Sequence, residues 1–299
     1  MKIKKKHIII IVVLILVALS QVALVSLVYA HKLPESLAVL VARAYRLKAG
    51  SISKGGEKLD VYISDYFFNQ DIISQFINAQ QAKASARGDQ DYIPPKAEEI
   101  NDTIWEKMIK EAWLGYISRQ ADIRVNPEDL EVYLQSVGDQ EALRQEAEKD
   151  FNFSFADYQQ AVIEPFILEA KVYKYLLSNF SDQEGGQKAQ QAYQALESGK
   201  DFTEVAKEYS DDPIYSDKSL WLSEDSLSDF YEPIRNLKPG EFSEIVISPV
   251  AYVIWYVRDV VSEESQAPVW EVRGIFIEAK SIESFLDDYL SGAEIKKIY

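Results

Sequence analysis

From Ile8 to Ala30 the chain reads IIIIVVLILVALSQVALVSLVYA, apolar except at Ser20, Gln21 and Ser26. A helix of about 20 such residues spans the hydrocarbon core of a bilayer, so this run reads as a transmembrane anchor. The competing reading is a cleaved signal peptide, since Val28-Tyr29-Ala30 has the small-residue form of a cleavage site. The apolar stretch of a signal peptide is about 7–15 residues, which this one exceeds. Beyond it the spacing of apolar residues is helical. Glu35–Leu47 is the first such run, broken at Ala49-Gly50-Ser51, and Tyr62–Ala79 is the second. Gln81–Pro95 is polar, ends in two prolines and reads as an exposed loop. Ile104–Gln120 is strongly periodic. Asn126, Pro127 and the acids after them have the order of a helix start. A further helix opens at Ser154 and continues to Leu177, with a kink or joint expected at Pro165. Residues 31–180 are thus predicted to be all-helical, their many aromatics mostly core with some left exposed.

The pattern changes after the short linker Ser181–Gly186. Gln187–Leu196 reads as a helix stopped near Gly199, and Asp201 with Glu204 caps a second one. Ser210–Glu224 is irregular and Ser226–Asn236 short and helical. Lys238-Pro239-Gly240 makes a turn, and Ile245–Ile247 and Tyr252–Val257 are strands. The second strand is apolar on both faces, Tyr252, Ile254 and Tyr256 on one and Val253, Trp255 and Val257 on the other. A strand buried on both faces sits centrally in its sheet and needs two neighbours. The preceding strand is one. The other candidate lies downstream, at Trp270–Glu278, after the loop Ser262–Pro268. Ser281–Leu290 is a short helix, and Ala293–Tyr299 an edge strand guarded by Lys296 and Lys297. The expected class is α+β, with units at 1–30, 31–180, 187–262 and 268–299.

Composition narrows the chemistry. The 299 residues include no cysteine, and the only histidines are His7 and His31. Thiolate nucleophiles, disulfides and Cys- or His-built metal sites in the body of the chain are therefore excluded. Lys2, Lys4, Lys5 and Lys6 take four of the 32 basic residues, leaving 28 bases against 48 acids, a net −20, after the first thirty positions. A body this acidic repels nucleic acid, and its charge serves solubility. The lysines before the apolar run keep the N-terminus cytoplasmic and place the rest of the chain outside.

Residues 187–260 resemble the parvulin rotamase domain. The resemblance rests on Leu196-Glu197-Ser198-Gly199-Lys200-Asp201-Phe202, on Ala206–Asp212, on Phe230, on Leu237–Ser243 and on the strand ending Tyr252-Val253-Ile254. Residues 35–178 resemble, less specifically, the helical chaperone region of the SurA, PrsA and PpiD group. The rotamase resemblance implies a four-stranded antiparallel sheet whose first strand precedes the first helix and lies beside the last strand. No strand precedes the first helix here. Arg273–Ile277 looks like it but follows the last strand, which implies a circular permutation; the alternative is an unrelated C-terminal extension. The family's two histidines fall at Gly274 and Val253, and its Gly-Gly-Asp-Leu-Gly segment is degraded to Asp217–Trp221. Asp212, Phe230 and Ser248 stand at retained positions, and Leu227 stands near the pocket methionine, one residue out of register.

Isomerisation about an X–Pro bond needs no metal or cofactor, only relief of a barrier of about 18–20 kcal/mol. Without the histidines, catalysis rests on Phe230 and on exclusion of water. The leading expectation is a membrane-anchored extracytoplasmic folding factor that holds unfolded or newly exported polypeptides. The alternatives are an active prolyl isomerase and a structural membrane protein with one fixed partner. Asp212, Phe230, Leu227 and Ser248 are the candidate substrate-binding residues.

Overall fold

A computed structural model describes residues 5–89, 91–150, 153–178, 184–212, 214, 218–224, 227, 230–248, 250–261 and 267–299, with side chains from residue 15 onward and without that of residue 150. The expected basic cluster (in part), residues 181–183 of the linker, Asp217 and residues 262–266 of the last loop lie outside the described residues. The chain divides into two units, Met1–Ile167 with Tyr289–Tyr299, and Leu168–Asp288.

In the first unit α1 (Lys5–Tyr29) and α2 (Glu35–Tyr45) lead into a hairpin, β1 (Lys48–Lys54) and β2 (Glu57–Tyr62). Among the described residues no helix is long and apolar enough to cross a membrane. The side chains of residues 8–14, which begin the expected anchor, lie outside them.

The hairpin corrects the all-helical expectation for 31–180. Gly55 and Gly56, at φ 58° and 87°, form a two-residue turn with positive φ at both centres, the geometry that matches strand twist. Lys54 then faces Glu57, and the ladder runs back to Lys48 opposite Tyr62. Gly50, expected as a breaker, lies inside β1 because a side chain there would run into the Lys296 carbonyl and the Trp105 ring. The third strand is β7 (Glu294–Lys297), antiparallel to β1, which makes the order β2-β1-β7. The last strand therefore does not join the other sheet, as the expectation for 268–299 had it.

Helix α3 (Ile63–Arg87) runs through much of the stretch expected as a loop and stops at Gly88, φ 67°. Helix α4 (Ala97–Gln120) buries Ile104, Met108, Ile109, Trp113 and Leu114. The helix start at Asn126 is present: its side chain accepts from the Asp129 N–H at the head of α5 (Pro127–Val137). Then come α6 (Gln140–Asp150), α7 (Phe155–Tyr158), a π-helical turn (Gln159–Ile163) and α8 (Glu164–Ser178). The wide turn sits just before Pro165, where the missing N–H and the ring's clash with a preceding carbonyl have to be absorbed. Phe68, Phe76 and Phe166 remain substantially exposed.

The second unit contains helices α9 (Glu184–Glu197) and α10 (Phe202–Tyr209), the short strand β3 (Leu220–Ser223) and a 3₁₀ turn (Glu232–Asn236). Strands β4 (Val246–Ile247), β5 (Ala251–Val261) and β6 (Val269–Glu278) follow, then α11 (Ile282–Leu290), whose last residues belong to the first unit. The sheet is antiparallel in the order β3-β6-β5-β4. Asp201 caps α10 with its carboxylate, accepting from the Thr203 and Glu204 N–H groups, as its position in the sequence implies. Strand β5 is central. Its partner on one side is β6, with Tyr252 opposite Ile277 and Val257 opposite Val272. On the other side lie β4 and the segment after the 3₁₀ turn, where Gly240 N–H donates to the Val257 carbonyl and Ser243 N–H to that of Trp255.

Candidate functional site

The register of β5 and β6 sorts their side chains onto two faces. Tyr252, Ile254, Ile275 and Ile277 bury against Ala189, Ala192, Val205 and Ala206 of α9 and α10. Phe202 stacks on Tyr256, ring centroids 4.5 Å apart. Burial pushes the Tyr252 phenol up to about 12, so it stays neutral in this core. The opposite face carries Val253, Trp255, Val257 and Val272, packed with Leu222, Ile234, Leu227, Phe230 and Tyr231.

Gly274 and Val253, the positions where the resemblance puts histidines, lie on this second face. Gly274 is opposite Trp255, and Val253 is opposite Phe276. Direct opposition puts each pair on one face of the sheet. No imidazole stands at either place, and the space beside Gly274 is taken. A Cβ there would lie 2.5 Å from the Phe276 ring and 3.1 Å from Trp255. Trp255 is fully buried and occupies the centre of the face. Its indole meets Phe276 edge-on at 5.3 Å, Phe230 edge-on at 5.3 Å and Tyr231 at 5.0 Å. Its Nε1–H donates to the Phe230 carbonyl at 3.1 Å, which ties the loop bearing Phe230 to the sheet. Such edge-to-face contacts add about 0.5–1.5 kcal/mol each to the area buried.

Of the candidate binding residues, Phe230 packs against Trp255, and Leu227 lies in the same hydrophobic cluster. Asp212 accepts from the Ile214 N–H through Oδ1 at 2.7 Å, and its carbonyl accepts from the Ser210 hydroxyl at 3.0 Å. Ser248 is buried in the β4–β5 turn. Its hydroxyl donates to the Ala251 carbonyl at 2.8 Å and accepts from the Ala251 N–H at 3.0 Å, so the turn consumes it.

Two further residues, not singled out from the sequence, close the outer edge of β6 where β3 has ended. Ser210 Oγ accepts from the Phe276 N–H at 3.1 Å, and Asp211 N–H donates to the Phe276 carbonyl at 2.7 Å. Asp211 Oδ2 accepts from the Glu278 N–H at 2.9 Å, and Oδ1 pairs with Lys188. Burial pushes the Asp211 carboxyl up, but the Lys188 ammonium and the Glu278 N–H outweigh it and hold the group below the usual carboxylate value. Among the described residues no cluster of acids and histidines is arranged to hold a metal ion.

The fold and this face define a small α+β domain with a four-stranded antiparallel sheet and an aromatic-filled face. Residues 172–259 match the family model of the PPIC-type PPIASE domain, a rotamase. The matched segment contains β3, β4 and β5 as far as residue 259 and ends before β6 begins. No curated protein and no solved structure matches the chain.

Proposed function

We propose that this chain is a membrane-anchored, extracytoplasmic folding factor that binds unfolded or newly exported polypeptides, and that its rotamase-like domain binds rather than turns over proline segments. One observation carries the second half: Trp255, fully buried, fills the face on which Val253 and Gly274 replace the family's histidines. A rotamase pocket must hold a twisted amide away from water. With an indole seated between Phe230 and Phe276 that room is reduced, and no titratable group faces it from Val253 or Gly274.

The rest of the proposal is supported in other ways. The PPIC-type match covers α9, α10, β3, β4 and most of β5 in the second unit. Its missing neighbour is supplied by β6, which fits a circularly permuted version of that domain. Exposed Phe68, Phe76 and Phe166 offer apolar contacts to a client. The run from Ile8 to Ala30, preceded by lysines, is long enough to anchor the chain.

The test compares the wild type with Phe230→Ala on a proline-containing peptide and on an aggregating unfolded protein. We expect no isomerisation above background from either, and suppression of aggregation by both. Turnover by the wild type that Phe230→Ala abolishes overturns the binding-only reading in favour of an active isomerase. Failure to suppress aggregation of several unrelated proteins favours instead a structural role with one fixed partner.

A further inference from the structure

Strand β2 forms one edge of the first unit's sheet, with β1 as its only strand partner among the described residues. In an antiparallel edge strand alternate residues direct their N–H and C=O away from the neighbour, which leaves a template for another chain. Among the described residues no turn or loop backbone group bonds to residues 57–61, and the open edge ends at Tyr62, whose N–H is engaged by the Asp65 carboxylate at the head of α3. In the other unit the corresponding stretch of β6 is closed by Ser210 and Asp211.

The free edge borders a groove of about 470 Å³, lined by every residue from Lys58 to Tyr62 and by one face of α4 that includes Met108, Ala112 and Gly115. Leu59 and Val61 are buried toward the core, so the groove has an apolar floor. Four residues of strand, Lys58 to Val61, give about 13 Å of pairing length.

The charges of this groove are not balanced among themselves. Two of its acids meet cations or donors beyond it: Asp60 pairs through Oδ2 with Lys48 at 2.6 Å, its buried Oδ1 taking no protein partner among the described residues, and Glu111 takes Lys107 at 2.6 Å and the Asn69 amide at 3.0 Å. Burial pushes the Asp65 carboxyl up, against the Tyr62 N–H and Arg43, which favour its charged form. Its cations are differently placed. The Arg46 guanidinium donates to the Tyr62 hydroxyl at 3.2 Å and lies over that ring, and Lys58 and Arg119 are exposed with no carboxylate partner among the described residues. In a chain with 48 acidic residues, a groove rimmed by unneutralised cations selects for negative charge.

We propose that this groove takes an extended, acidic polypeptide segment, which adds to β2 as a further antiparallel or parallel strand. Main-chain hydrogen bonds to the edge supply affinity for any extended client, and Arg46, Lys58 and Arg119 bias the choice toward segments rich in Asp and Glu. The inference rests on the polypeptide-binding reading above and names where one class of client sits. A lysine on an edge strand also serves to repel unwanted pairing, and the experiment separates the two roles.

The full chain, in detergent, is given the photoreactive residue p-benzoylphenylalanine at position 58 or, as a control, at position 218. The probes are fluorescein-labelled, reduced α-lactalbumin in its carboxymethylated (acidic) and carboxamidomethylated (neutral) forms. We expect the acidic form to bind by anisotropy and to cross-link from position 58 but not from 218. Lys58→Glu with Arg119→Glu should weaken it about ten-fold with an unchanged circular dichroism spectrum, the size expected for losing and reversing two exposed charge contacts. If both forms bind, yet nothing cross-links from 58 and the double variant binds as tightly, the groove assignment is wrong while the folding-factor reading stands. Equal binding of the two forms at position 58 overturns the acidic preference, and a cross-link to a second copy of this chain overturns the client assignment. If neither form binds at all, the polypeptide-binding reading itself falls.

Discussion

The two sheets solve the problem of their edges in opposite ways. In the second unit β5 is covered on both faces and on both sides, and even the part of β6 that β3 leaves bare is occupied by Ser210 and Asp211. In the first unit the outer edge of β2 has no strand partner among the described residues and borders a groove. Isolated open edges invite association; the second sheet leaves only the short strands β3 and β4 at its edges, whereas β2 presents a longer one. The closed sheet is held from its centre, by Trp255. The open one is held by a close approach at Gly50.

The largest expected effect is therefore at Trp255. Replacing this fully buried indole with Ala leaves a cavity among Phe230, Tyr231 and Phe276 and removes the donor to the Phe230 carbonyl. Large-to-small changes of this kind cost about 3–5 kcal/mol. Urea unfolding followed by circular dichroism should show a destabilised second unit with the first unit's transition in place. A cost below about 1 kcal/mol would mean that the aromatic face is not what closes that sheet.

Next is Gly50→Ala in the first unit. The added Cβ meets the Lys296 carbonyl and the Trp105 ring, so β7 must shift away from β1. Overpacking costs about 1–3 kcal/mol. Hydrogen exchange should show loss of protection in residues 294–297, with the hairpin retained. Unchanged exchange there would show that β7 does not depend on this approach.

The contrast also decides what the sequence makes legible. Strand β5 advertises itself: an apolar run on both faces demands two neighbours, and the one missing upstream is found at 270–278. The same alternation places Val253, Trp255 and Val257 on one face, so a tryptophan beside the position where the resemblance puts a histidine could be read without coordinates, though its contact with Phe230 could not. Strand β1, KAGSISK, has no such pattern, and its second partner lies at the far end of the chain, beyond the reach of local periodicity. The Gly55-Gly56 turn was a signal in the sequence for a hairpin. It competes there with the reading of Gly50 as a helix breaker, and only the ring of Trp105 above Gly50 explains why a glycine is needed inside the strand. Helix α3 runs past its expected end because tertiary packing carries a polar stretch to Arg87 that apolar spacing does not mark.

A smaller effect is expected at Ser248. Its hydroxyl is engaged by both the N–H and the carbonyl of Ala251. Ser248→Ala leaves those backbone groups one partner fewer and should cost about 1 kcal/mol, read as a shift of the urea midpoint. Binding of an unfolded protein should be unchanged. Loss of binding without loss of stability would return Ser248 from the turn to a groove.

The smallest effect tests the closed edge of β6 directly. The Asp211 carboxyl is held below its usual value, so its stabilisation is fully present above the unfolded-state pKa, near 3.9, and is lost as pH falls through the lower folded-state value. The side chain is partly exposed, so screening limits the pair with Lys188 and the Glu278 N–H to about 0.5 kcal/mol. Asp211→Asn should therefore lower the urea midpoint slightly at pH 7, and the gap from wild type should close as the pH is taken below 3.9. A gap that persists in acid would mean that the amide fails for steric reasons and that charge is not what holds this edge. A variant that loses stability at neutral pH and also begins to self-associate would show that closing β6 is what keeps the second sheet from behaving like the first.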